Sequence, residues 1–287
     1  WAPDDIDKAM SSSRSFRWTS LIAIAVLVAL VVVGLVLLPL VTRSRANSHR
    51  DMMVEALHEL RAELPDSQNS LAVATEPTAT MTALNNLSTE LTALSAKANA
   101  LDSAGRAPLP STLPFTSSTP IDELVPIRQR LEPMATTALT IQQRIANLIK
   151  YRTLMRDFLT LPDLPTTASD SQQADLRVAL ASAQAESASI LSELPADVSL
   201  SEHRALARDT NEMFATWQTN YLEALRTNDA NAAQTLIDDL HSSLDELDAA
   251  LVTPLAQIRR QTDADLIDLA QSIDEVVAMA TEETPPP

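Results

Sequence analysis

The chain carries four histidines, His49, His58, His203 and His241, and two of them stand at a spacing that metal chemistry uses. Glu55 and His58 form an E-x-x-H, and Asp238 and His241 form a D-x-x-H. Residues three apart share one face of a helix. Two such pairs turned inward, with two further carboxylates, give the oxygen and imidazole set that surrounds two metal ions in a di-iron bundle. The same spacing arises by chance in helices rich in Asp and Glu, and with Ile237 and Leu240 as core positions Asp238 faces outward. Glu55, His58, Asp238 and His241 are therefore the metal candidates, while no cofactor is expected. Asp263, Asp265 and Asp268 resemble a calcium loop, but the glycine that turns such a loop is missing.

A second group could bind rather than react. Arg128, Arg130, Arg144, Lys150, Arg152 and Arg156 crowd one stretch, and Arg152 falls on its apolar seam. A charge there must be paired or must reach water. Pairing with the acidic last helix is expected; an anion site would instead leave an arginine without a carboxylate. Phe214, Trp217 and Tyr221, with Met213 beside them, lie within about two helical turns. Such a cluster packs a bundle core or presents a hot spot to a partner. Met213, Phe214, Trp217, Tyr221 and Arg152 are the candidate partner contacts.

Composition narrows the chemistry further. The 287 residues include no cysteine and two glycines. Without cysteine there is no disulfide, thiolate nucleophile or cysteine zinc site. Phosphate-cradling loops, dinucleotide-binding turns and nucleophile elbows all need glycine, because only glycine reaches positive φ cheaply or lets backbone approach a ligand. Gly34 sits inside an apolar run, and Gly105 is expected to cap a helix. No nucleophile–base set appears, so no catalytic residue is named and the chain is expected not to be an enzyme. Residues 51 to 287 hold 35 acids against 15 basic residues. That charge repels a phosphate backbone, so nucleic acid is not an expected partner.

These residues must be positioned by helices. From Leu21 to Val41 no side chain is charged or hydrogen-bonding; as a helix this run spans about 31 Å, the thickness of a bilayer core. Phe16 and Trp18 fit an interfacial aromatic belt, with Arg17, Arg43 and Arg45 as headgroup partners. The reading is a polar tail over 1–17, a membrane helix over 18–42, a juxtamembrane helix over 43–64 that Pro65 stops, and a linker over 65–79. An acidic helical domain follows over 80–282, with a proline-rich connection at 106–120 and a tail at 283–287.

Within that domain the apolar residues repeat at three-four steps, as in Leu84, Leu87, Leu91, Leu94, Ala98 and Leu101. Further helices are expected near 121–161, with 134–161 safest because of Pro126 and Pro133, then 170–195, 201–226, and from about 230 to 282. Pro254 either opens a new helix or kinks a continuous one. No stretch alternates with period two, so the fold class is all-α: a bundle or coiled-coil-like domain of about six helices. Basic residues flank the apolar run evenly, and the orientation favoured places the N-terminus in the cytoplasm and the large domain outside. Arginine outnumbers lysine 18 to 3, which suggests a bacterial envelope setting. The function expected is a single-pass, non-catalytic scaffold or accessory subunit, with the bilayer, an envelope protein or a second copy as partners; a ligand-sensing bundle is the alternative.

Overall fold

The computed structural model describes Val41, residues 44–106 and residues 124–281. Among them 87% are helical and none forms a strand, so the chain is an all-α bundle as its periodicity implies. The first described helix, α1, runs over 44–74. After it come α2 (Met81–Gly105), α3 (Leu124–Arg156), α4 (Asp170–Glu193), a short 3-10 turn (Val198–Leu200), α5 (Ser201–Arg226), α6 (Ala230–Ala250) and α7 (Val252–Thr281). Among the described residues no helix is long and apolar enough to cross a membrane. The span expected at 18–42 lies outside them except for Val41, as do Phe16, Arg17, Trp18 and Arg43, most of the proline-rich connection and the C-terminal tail.

Cross-helix partners fix the directions. Glu63 pairs with Lys97 and Ser70 bonds Glu90, so α1 and α2 are antiparallel. Thr92 accepts from Gln142, and Arg106 faces Glu132, which sets α3 antiparallel to α2. Arg130 pairs with Glu275 and Arg144 with Asp265, and Arg61 meets Asp274, so α7 runs against both α3 and α1. These four helices close a ring around Met53, Leu57, Leu91, Leu94, Ile141, Ile145, Leu266 and Ile273, all buried. In the second layer, α5 lies between α4 and α6. Its bonds to Leu236 and Leu247 confirm the antiparallel α5–α6 pair that the short 227–229 turn implies.

Proline has less authority than the sequence suggests. The linker expected at 65–79 is helical as far as residue 74, and the break falls at 75–80. The apolar stripe continues through Ser67, Leu71 and Ala74, all buried, while the Pro65 ring is exposed, so the Arg61 carbonyl that it leaves without an amide lies on the outer side. Pro133 likewise sits exposed inside α3, and Pro126 falls in the first turn, where no amide donor is required. Helix α3 thus begins ten residues before the portion the sequence marks as safest, and it ends at Arg156 instead of 161.

Pro254 does interrupt. It cannot donate to the Ala250 carbonyl, and Leu251 drops out of the helix with φ −69° and ψ −21°. Those angles remain helical, so α6 and α7 follow one another as a rod with a one-residue break rather than folding into a hairpin. Gly105 also corrects an expectation. It is the last residue of α2, with no positive φ. A Cβ there would stand 2.6 Å from Leu131 Cδ1, so the glycine serves the close approach of α2 to α3.

Candidate functional site

The metal candidates stay apart. Glu55 and His58 are exposed on α1, and Asp238 and His241 are exposed on α6, where Asp238 accepts a hydrogen bond from Gln234 at 2.8 Å. Among the described residues no three His, Cys, Asp or Glu side chains gather closely enough to hold an ion. Glu55 and His58 instead line a cleft of about 460 Å³ with Arg50, Asp51, Ala280 and Thr281, where the start of α1 meets the end of α7. Asp265 is taken by Arg144 at 2.7 Å.

The aromatic cluster is core. Phe214, Trp217 and Tyr221 are buried and stacked, with centroid separations of 5.2 and 5.0 Å. The indole of Trp217 donates to Leu236 O at 2.6 Å, and the phenol of Tyr221 donates to Pro165 O at 2.6 Å. Burial pushes the Tyr221 phenol up to about 12. As partner contacts these three rings are corrected: they face inward and are engaged within the chain. Met213 alone is exposed, with Ser243 Oγ 3.8 Å from its sulfur.

The stripe that buries them also holds a buried histidine. On α5 the buried positions are His203, Ala207, Thr210, Phe214, Trp217, Tyr221, Ala224 and Leu225. Leu206 and Met213, although apolar, lie outside it and are exposed. His203 Nε2 is 2.8 Å from Leu247 O, and its Nδ1 is 2.5 Å from the Tyr151 hydroxyl. A carbonyl only accepts, so Nε2 carries the proton and Nδ1 accepts the Tyr151 O–H. Burial lowers the His203 pKa, opposed by the Leu247 carbonyl and by Asp248. Burial also raises that of Tyr151, against the pull of Arg204. The neutral pair links α3, α5 and α6 where the two layers meet. The signal was in the sequence: three-four steps backwards from Tyr221 land on His203.

Arg152 does not join the α3–α7 ion pairs, which are made by Arg130 and Arg144. Its Nη2 donates to Pro77 O at 3.3 Å, its Nη1 is buried without an acceptor, and burial lowers its pKa. It meets no carboxylate among the described residues, as an anion site would require. Yet the unmet Nη1 is enclosed, and an anion reaches it only if neighbouring side chains move.

A groove of about 650 Å³ opens between the 157–169 segment and the first turns of α4, in the size range of small-ligand sites. Pro162, Leu164, Pro165, Leu176 and Ala179 supply its apolar lining, and Asp163 and Asp175 its charge. Pro162 and Pro165 keep this segment out of the helix.

The class this architecture defines is an all-α helical bundle. No protein family, curated protein or solved structure matches this chain.

Proposed function

We propose that the chain is a membrane-anchored, non-catalytic helical scaffold or accessory subunit that docks on another envelope protein. The observation that carries the reading is the meeting of α1 and α7 at the 460 Å³ cleft. Helix α1 begins a few residues beyond the apolar run, so an anchor at 21–41 would hold that end of the bundle against the bilayer. Helices α6 and α7 then supply about 75 Å of helical rod leading away from it. The α4–α6 layer is carried at the far end, where a partner has access. Interhelical ion pairs and the Tyr151–His203 bond serve to hold this geometry, as a scaffold needs.

Crosslinking in native membranes, followed by identification of the captured protein, tests the reading. A reproducible envelope partner supports it, whereas repeated recovery of an uncrosslinked monomer would overturn it. Single cysteines at positions 12 and 201 test the orientation with an impermeant thiol reagent in intact cells. Labelling at 201 alone is expected; labelling at 12 alone reverses the topology.

A further inference from the structure

We propose that the groove between residues 162–165 and helix α4 is a binding site for a small organic cation with an apolar body, such as an aryl-alkyl ammonium compound. This inference stands apart from the scaffold reading, because it rests on the local construction of the groove.

The wall is built to stay in place. Leu159 holds a left-handed backbone, φ 47°, that a leucine adopts only under constraint. Its amide donates to Ser187 Oγ at 3.0 Å, and that hydroxyl donates to Ala183 O at 2.8 Å, so α4 pins the start of the segment. Tyr221 bonds Pro165 O in the middle. Gln173 Nε2 reaches Ala168 O at 3.0 Å and Leu225 O at 3.3 Å, fixing the end. Phe158 and Leu159 are buried beneath. A connection of this length without helix or strand is usually loose; this one is tied at three points, so the groove exists before any ligand arrives. Preformed apolar sites bind without the loss of loop entropy.

The charge then chooses the ligand. Proline rings, two leucines and an alanine methyl offer an apolar surface. Asp163 stands on the segment wall and Asp175 on the helix wall, and no Lys, Arg or His lines the groove. Neither carboxylate makes an ion pair or a side-chain hydrogen bond among the described residues. Two carboxylates left open on facing walls of an apolar cleft complement a cation and repel an anion.

The test uses the full chain in zwitterionic phosphatidylcholine nanodiscs and isothermal titration with three probes of like shape: 2-phenylethylammonium, 2-phenylethanol and 3-phenylpropanoate. The ammonium probe is expected to bind saturably, the alcohol about tenfold more weakly, and the carboxylate not at all. Asp163→Asn and Asp175→Asn keep the side-chain shape at exposed positions, and each is expected to weaken the cation by about three- to tenfold. Ala179→Leu should abolish binding by filling the cleft. Near-UV circular dichroism of the Trp217 stack verifies that each variant is folded. Equal binding of the cation and the alcohol, unchanged binding in the Asp163→Asn/Asp175→Asn double variant, or no saturable binding at millimolar probe would each overturn the proposal.

Discussion

The phenol of Tyr151 and Nδ1 of His203 lie 2.5 Å apart with their rings edge to face, and neither side chain has appreciable access to water. Because Leu247 O accepts the Nε2 proton, a second proton on His203 would have to sit on Nδ1, where the Tyr151 hydroxyl now donates. The phenol would then need another acceptor inside a closed site. Charging His203 is therefore opposed both by desolvation and by the hydrogen-bond pattern.

Stability is predicted to fall on mild acidification. The folded pKa of His203 is lowered, so between that value and the unfolded value of about 6.5 the unfolded chain binds more protons than the folded one. The contribution is complete above about pH 6.5 and is lost as pH falls through the folded pKa. Urea unfolding across pH 8 to 5 should show it. Tyr151→Phe is expected to cost about 1–3 kcal/mol at pH 7.5, since it strands a buried acceptor. A neutral effect would mean that Nδ1 is not an acceptor.

Much of the bundle was legible because it obeys one rule. Leu84 to Leu101 and Ile237 to Leu247 are marked by three-four spacing alone; the first stripe is buried throughout, and in the second Ile237, Leu240 and Leu247 are buried while Leu244 is half-buried. What failed was punctuation. Pro65 and Pro133 look like stops, but a ring on the outer face leaves the inner packing intact, and a local preference yields to the continued seam. The candidate sites were less legible. Glu55 and His58 stand out by spacing, which does not tell that α1 presents them to solvent, whereas the core positions Ile237 and Leu240 already turn Asp238 outward, as the fold has it. His203 carries no such mark, because a polar residue on a three-four stripe reads as solvent-facing until its partners on α3 and α6 are known. The groove depends on Ser187, Tyr221 and Gln173 reaching across to a connection tens of residues away in sequence, and no local pattern encodes that.

The ion pairs of α7 should differ in worth. Arg144 and Asp265 are 17% and 30% exposed at 2.7 Å, and Arg144 also reaches buried Thr262 Oγ1 at 3.3 Å. Arg61 and Asp274 are 40% and 59% exposed at 3.1 Å. Double-mutant cycles with alanine are expected to give about 1–2 kcal/mol of coupling for the first pair and no more than about 0.5 for the second. Equal couplings would show that burial is not what separates them.

Tyr221 couples the core to the groove wall. Tyr221→Phe leaves Pro165 O without its donor and is predicted to cost about 1–2 kcal/mol, measured by urea unfolding at neutral pH. Its phenol is pushed up to about 12 by burial, above the ordinary value of about 10. The raised value means this contribution is complete below about pH 10 and is lost as pH rises through about 12. Alkaline unfolding monitored by tyrosinate absorbance should therefore come later in the wild type than a free phenol would titrate.

Gly105 makes a sign-reversing prediction. A methyl at this position favours the helix but would stand 2.6 Å from Leu131 Cδ1, and Leu131 is buried and held by its neighbours. Gly105→Ala is accordingly expected to destabilise by about 1 kcal/mol or more in the wild-type chain. In a Leu131→Ala background the obstruction is gone and a cavity has opened beside the new methyl, so the same substitution should stabilise. Chemical denaturation of the four proteins measures the coupling. If Gly105→Ala were stabilising in both backgrounds, the approach of α2 to α3 would not be what requires a glycine.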